Sequence, residues 1–233
     1  MSTALHPLSL AGFAIVTSLL AACASETVSD GDGDTTTSDP DDPPICTGFE
    51  NETSESQTFV LRNDTEETIF VRGLNCPGDA FQLEQNGSPV ELPARDVCDL
   101  TCENLQSNPG ICPAIACQET IHVLLPGGEL RQVWSGLVSE QTEMPSACYF
   151  EEPEVTACAR HVPAAREDYE VVFDVAVGDD ACEGDCVCID DGLSCSLQGG
   201  SAIISEQTTT ARETFTYGDA GETTVRFTLD REG

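Results

Sequence analysis

The sequence predicts a mainly β protein: a disulfide-braced β-sandwich with a Cys-rich insertion and a C-terminal hairpin. Three observations carry this. Apolar–polar alternations of strand length recur from Cys46 onward, separated by turn residues. No stretch of that region sustains a 3.6-residue apolar stripe beyond two turns. Many cysteines fall in the same region, the composition of a domain folded in an oxidising compartment.

The chain opens with an apolar run from Leu8 to Ala22, with His6 and the free amine as its basic groups. About 15 residues is short for a hydrocarbon core of ~30 Å but suits the apolar region of a signal peptide. Leu20-Ala21-Ala22-Cys23 closes the run. These four residues match the lipobox, so residues 1–22 resemble a bacterial lipoprotein signal peptide. The resemblance implies cleavage before Cys23, a diacylglycerol on its sulfur and a stable membrane attachment, since each buried methylene is worth ~0.8 kcal/mol. In that family Asp after the lipidated Cys favours the inner membrane. Ala24 stands here instead, which implies an outer-membrane lipoprotein facing the periplasm or the cell surface.

Residues 23–45 then form an acidic tether. Ser25 to Pro44 is mostly Asp, Thr, Ser, Gly and Pro, too poor in apolar area to offset the entropy of ordering. A flexible segment of this length spans roughly 26 Å. Asp30, Asp32, Asp34, Thr36, Ser38 and Asp41 fall on the ligand positions of a calcium loop. Thr35 occupies the position that needs Gly, however, and Asp41 replaces the bidentate Glu. No metal or other cofactor is expected.

The chain holds 13 cysteines. With Cys23 reserved for lipid, an even set remains: Cys46, Cys76, Cys98, Cys102, Cys112, Cys117, Cys148, Cys158, Cys182, Cys186, Cys188 and Cys195. An even count outside the cytoplasm reads as a disulfide framework. Cys98 and Cys102, or Cys112 and Cys117, can close small loops or bridge elsewhere. Cys186 and Cys188 flank only Val187, so a mutual bridge would be strained and each should find its own neighbour. No C-x-x-C pair occurs, which argues against a zinc ribbon or finger.

The expected sandwich covers 46–178. Thr58–Arg62 and Thr68–Val71 flank a polar turn. Phe81–Glu84 and Val90–Leu92 flank Asn86-Gly87, a strong hairpin signal. Ile121, Val123 and Leu125 alternate before Pro126-Gly127-Gly128 turns the chain toward Leu130–Leu137. Tyr169, Val171, Phe173, Val175 and Val177 alternate strictly. Residues 179–200, with the run CEGDCVCIDDGLSC, read as a separate stapled segment. Residues 201–233 read as a hairpin, with Phe215 and Tyr217 leading into Gly218-Asp219-Ala220-Gly221 and Val225, Phe227 and Leu229 returning. The pattern leaves open whether this hairpin joins the main sheet.

Several of these motifs carry a second resemblance. Leu124–Leu130 with its Pro126-Gly127 turn, Val133-Trp134-Ser135-Gly136, and Pro163-Ala164-Ala165 leading into Tyr169–Phe173 are similar to bacterial immunoglobulin-like domains. These include the type found in a proteinase-inhibitor family, with Ala165 in place of that family's Gly. The resemblance spans roughly 57–177 and implies an immunoglobulin-like sandwich; protease inhibition is the activity it suggests.

Charge narrows the partners. With 42 acidic residues against nine arginines, and no lysine, the formal net charge is −33. Such a surface repels nucleic acid and excludes lysine-based chemistry. No nucleophile-elbow, zinc-protease, phosphate-loop or dinucleotide motif occurs. A hydrolase would have to use His122 or His161 as base. His122 is expected on the wet face of the Ile121/Val123/Leu125 strand, and His161 in a loop beside Cys158. Trp134 is expected in the core. The function these features favour is a membrane-anchored, non-catalytic binding module with a protein partner. The alternative is an extracytoplasmic protease inhibitor presenting Ser107-Asn108-Pro109-Gly110 within a Cys98–Cys117 loop. Oligomeric state is not legible.

Cys23→Ser should leave unprocessed precursor or release the protein from lipid, read as loss of partitioning into the detergent phase; unchanged processing and partitioning would contradict the lipobox assignment.

Overall fold

The computed structural model describes residues 46–73, 79–93, 100–110, 119–152, 157–188, 192–198, 202–219 and 221–229, all within the unit Pro43–Gly233. Cys23 with its lipobox, the tether, and Cys76, Cys98, Cys112 and Cys117 lie outside the described residues. In chain order the elements are β1 (Gln57–Asn63), β2 (Ile69–Arg72), β3 (Gln82–Gln85), β4 (Ser88–Pro89), α1 (Cys102–Leu105), β5 (Thr120–Leu124), β6 (Glu129–Trp134) and β7 (Leu137–Glu143). They continue as β8 (Ala157–Pro163), β9 (Asp168–Val177), β10 (Cys182–Gly184), β11 (Ser194–Gln198), β12 (Ala202–Ile204), β13 (Thr209–Thr216) and β14 (Glu222–Phe227). The fold is mainly β, a disulfide-braced sandwich.

Its large layer is a seven-stranded sheet in the order β11-β5-β2-β9-β3-β4, with β13 also paired to β9. β13 runs along residues 168–175 of β9. The other edge of β9 therefore takes β2 at 175–177 and β3 at 170–172, one after the other. The smaller layer is β14-β1-β6, in which β14 lies parallel to β1. Among the described elements, the chain passes from one layer to the other between β1 and β2 at Asp64–Thr68, between β5 and β6 at the Pro126–Gly128 turn, and between β13 and β14. The expected C-terminal hairpin is one of these crossings. β13 pairs with β9 and β14 with β1, so Phe215, Val225 and Phe227 all enter one core from two layers. Asn63, fully buried, clips the first two crossings together. Its Nδ2 donates to the Glu67 and Leu124 carbonyls at 2.8 and 3.0 Å, and its Oδ1 accepts from Thr65.

Asn86-Gly87 does close a hairpin. β3 and β4 pair across it with Gln85 opposite Ser88, and Asn86 and Gly87 adopt φ of 52° and 75°. Two successive left-handed residues match the twist of the strands they join. The expected run Leu130–Leu137 is interrupted instead: β6 ends at Trp134, and the chain turns at Gly136 into a separate ribbon of β7 and β8. Gly136 has φ of 74°, and a Cβ there would strike the Tyr217 hydroxyl and the Glu55 carbonyl, so only glycine fits.

The core between the layers is aromatic. Phe59 on β1 packs edge-on to Phe81 at 4.9 Å and to Phe215 at 5.1 Å. Trp134 belongs to the same core, 4.9 Å from Tyr217, and its Nε1–H donates to the Leu137 carbonyl at 2.8 Å. A second core lies on the opposite face of the large sheet. It holds Phe70, Ile121, Val123, Ala176, Ala181, Ala202 and Ile204. On β2 the residues alternate between the two, with Ile69 and Val71 inward and Phe70 outward.

Four bridges lie among the described residues. Cys46–Cys148 and Cys102–Cys158 surround a small third cluster with Met144. Cys182–Cys186 and Cys188–Cys195 staple the segment over the second core. Cys186 and Cys188 thus take separate partners. Closing 102 residues, Cys46–Cys148 removes about 5 kcal/mol of unfolded-chain entropy on the loop-closure account, and the two short staples about 2 kcal/mol each.

Phe59→Ala should lower stability by ~3–5 kcal/mol by opening a cavity at the centre of the aromatic cluster. Val133→Ala, at a site 49% exposed on β6, should change it by no more than ~0.5 kcal/mol. Urea unfolding midpoints compare the two, and equal effects would contradict this placement of the core.

Candidate binding cleft

The outer face of the large sheet is apolar at β2 and β5, and water would meet Phe70 and Val123 if nothing lay over them. The Cys-rich segment covers them in part. Gly178, at φ of 87°, releases the chain from β9 into a 3-10 turn at Asp179–Ala181. β10 then pairs with β12, Cys182 opposite Ile204. β11 returns to the large sheet beside β5. The segment expected to be a separate knot therefore supplies the sheet's edge strand.

This cover is incomplete. Between it and the sheet lies a cleft of about 590 Å³, within the range of natural ligand pockets. Phe70, Val123 and Leu125 form its floor. The Cys182–Cys186 and Cys188–Cys195 staples form its walls. Val187 and Leu193 stand at its lips, 79% and 55% exposed. An apolar side chain gains ~1.5–3 kcal/mol on full burial, so these lips would gain from being covered.

The cleft's charge is negative. Asp179 lines it, and Thr68 adds a hydroxyl. The Glu67 carboxylate lies against Gly178, and Asp180, Glu183 and Asp185 are exposed on the same segment. The seven described arginines are ion-paired elsewhere, Arg62 and Arg226 sharing Asp64 and Arg72 holding Glu119. The two guanidiniums beside Asp64, Arg226 first, hold its carboxyl below the ordinary range. None of the described arginines lines the cleft. Among the described residues, no group of three or more His, Cys, Asp or Glu side chains is arranged to hold a metal ion.

The histidines do not sit where the pattern placed them. His122 is buried, 8% exposed, rather than on a wet face. The strand has two dry faces, because Ile121 and Val123 lie under the Cys-rich segment while His122 stands between Val71 and Ser196 on the other side. Its Nδ1 lies 2.8 Å from the Ser196 Oγ, and its Nε2 is buried with no hydrogen-bond partner. Burial lowers its pKa. His161 lies on β8, opposite Ser139, rather than in a loop. The two histidines occupy different sheets. Neither lines the cleft.

Ser107-Asn108-Pro109-Gly110 is not an isolated finger. The chain folds back on α1, where the Asn108 amide N–H donates to the Asn104 carbonyl at 2.8 Å and its Nδ2 to the Asn104 Oδ1 at 2.7 Å. Cys102 at the start of α1 bridges to Cys158 on β8. The Cys98–Cys117 closure expected around this turn lies outside the described residues.

The sequence reading missed the cleft, although one signal pointed to it. Ile69-Phe70-Val71 is three apolar residues in succession, the mark of a strand buried on both faces. Comparison of the chain with protein-family models, with curated proteins and with solved structures returns no match.

His122 gives a pH signature. With its folded pKa below the ordinary 6.5, the unfolded chain takes up this proton first as pH falls. The stability this residue contributes is whole above pH 6.5 and lost progressively toward the lower folded value. Between pH ~7.5 and ~5 the wild type should therefore lose more thermal stability than His122→Gln; parallel profiles would contradict a buried, neutral His122.

Proposed function

We propose that the protein is a non-catalytic binding module of the cell envelope, carried to the outer membrane by lipidation of Cys23 and held away from it by residues 24–45. The observation that supports this most is the cleft: an apolar floor, walls fixed by two staples, and exposed apolar lips. Short bridges cut the conformational freedom of the loops that carry the lips, and pre-organisation of that kind lowers the entropic cost of binding. The lipid anchor and the even set of cysteines agree on an oxidising compartment. The partner is expected to be a protein, because the apolar surface of the cleft rises to its exposed lips, Val187 and Leu193.

A photo-crosslinking residue separates this from a passive surface. Val187→p-benzoylphenylalanine and Leu193→p-benzoylphenylalanine in intact cells should each give a discrete adduct, while the same change at exposed Val133 on the far layer should not. Adducts from all three positions alike, or from none, would overturn the reading.

A further inference from the structure

We propose that Asn86, at the tip of the β3–β4 hairpin, is a covalent attachment site for an oligosaccharide. This goes beyond the binding cleft and shares with that reading only export of the chain to the envelope.

The sequence holds three Asn-x-Ser/Thr triplets: Asn51-Glu52-Thr53, Asn63-Asp64-Thr65 and Asn86-Gly87-Ser88. In an exported chain such a triplet, with any residue but proline in the middle, is an acceptor signal for an N-linked glycan. A bulky hydrophilic group can be carried only where the amide nitrogen is free to face water. The structure separates the three on that ground.

Asn63 is fully buried, and its Nδ2 donates to both the Glu67 and the Leu124 carbonyls. A sugar on that nitrogen would break this clip and find no room. Asn51 is half-buried, and its Oδ1 accepts from the His161 amide N–H at 3.0 Å, which ties the side chain to β8. Asn86 is exposed, and so are Gly87, Ser88 and Pro89 after it. A Cβ placed on Gly87 would meet nothing within 4 Å, so the space beside the turn is open.

An enzyme has to reach the amide as well. β4 is two residues long, both exposed, and its register with β3 is Glu84 opposite Pro89 and Gln85 opposite Ser88. A short exposed strand end opens locally at small cost, so the triplet can leave its turn and enter a transferase. Glu84 stands two residues before Asn86. An enzyme that handles a lipid diphosphate carries cationic groups, and Glu84 offers them a carboxylate to pair with.

The step is a substitution at a sugar's anomeric carbon, the donor being an isoprenoid diphosphate-linked oligosaccharide. The Asn86 Nδ2 forms the new bond to that carbon. The bond from the carbon to the diphosphate oxygen breaks, and its electron pair leaves with the diphosphate. One Nδ2 proton passes to the transferase. β4 is last in the strand order that begins with β11, whose Cys195 belongs to a staple walling the cleft. The glycan and a cleft ligand thus occupy opposite ends of the large sheet.

The test uses the full-length protein purified, bridges intact, from the envelope of its native cells. Peptide mass spectrometry with electron-transfer fragmentation should place an oligosaccharide on Asn86. Asn86→Gln and Ser88→Ala should each abolish the added mass, and Ser88→Thr should keep it. Glu84→Gln should lower occupancy several-fold. All four positions lie on the hairpin, so an unchanged thermal midpoint of the deglycosylated forms shows that folding is intact. An unmodified Asn86 in envelope-purified protein, an adduct that survives Asn86→Gln or Ser88→Ala, or sugar on Asn51 or Asn63 instead overturns the proposal and leaves the binding-module reading in place. Deamidation of Asn86 with no sugar does the same. Recovery of the chain from the cytoplasm alone would overturn export, and this site together with the envelope reading.

Discussion

A sheet that is apolar on both faces has to be covered twice, and the rest of this structure follows from that requirement. β2, β5 and β9 place Ile69, Val71, Leu124 and Val175 on one face and Phe70, Val123 and Ala176 on the other. The first face is met by the three-stranded layer, whose Phe59, Trp134 and Phe227 complete an aromatic core. The crossings between layers, with Asn63 clipping two of them, exist to bring that layer over the sheet. Among the described residues, the second face is covered by Ala181, the stapled cysteines, Leu197, Ala202 and Ile204.

That second cover is short and poor in apolar side chains, so its own burial does little to order it. Two staples compensate by restricting the unfolded segment, and pairing with β5 and between β10 and β12 fixes its path. What it cannot do is fill the space above Phe70 and Val123. The cleft is the remainder: walls held by covalent bonds, a floor made by the sheet, and apolar lips that no described segment buries. The acidity of the chain acts on the same place. Each described arginine is already paired elsewhere, so none of the described arginines neutralises Asp179 at the cleft.

Much of the first core was legible in the sequence. Period-2 alternation marked β9, Asn86-Gly87 marked the β3–β4 hairpin, and Trp134 read as a core residue. The even cysteine set, and the reasoning that Cys186 and Cys188 cannot bridge each other, anticipated the staples. Pairing partners at long range were not legible, because strand alternation says which face a residue takes and not which strand lies beside it. Hence β13 and β14 read as a hairpin when each pairs with a different layer, and β11 hid among cysteines. His122 was misplaced for a related reason. Alternation assigns one polar face by assuming the other side is wet, and on β5 neither side is. The cleft itself was invisible, since it arises from two segments far apart in sequence that meet with too little side chain between them.

Methyl signals in the presence of a soluble paramagnetic probe test the doubly covered sheet most directly. Val71 and Ile121 point to opposite faces and are both fully buried, and neither lines the cleft. The account predicts that neither the Val71 nor the Ile121 methyls broaden, nor the Ala176 methyl, while the methyls of Val187 and Leu193 broaden strongly. Protection of Val71 together with broadening of Ile121 and Ala176 would show a sheet with one wet face, and would remove both the second core and the cleft built upon it.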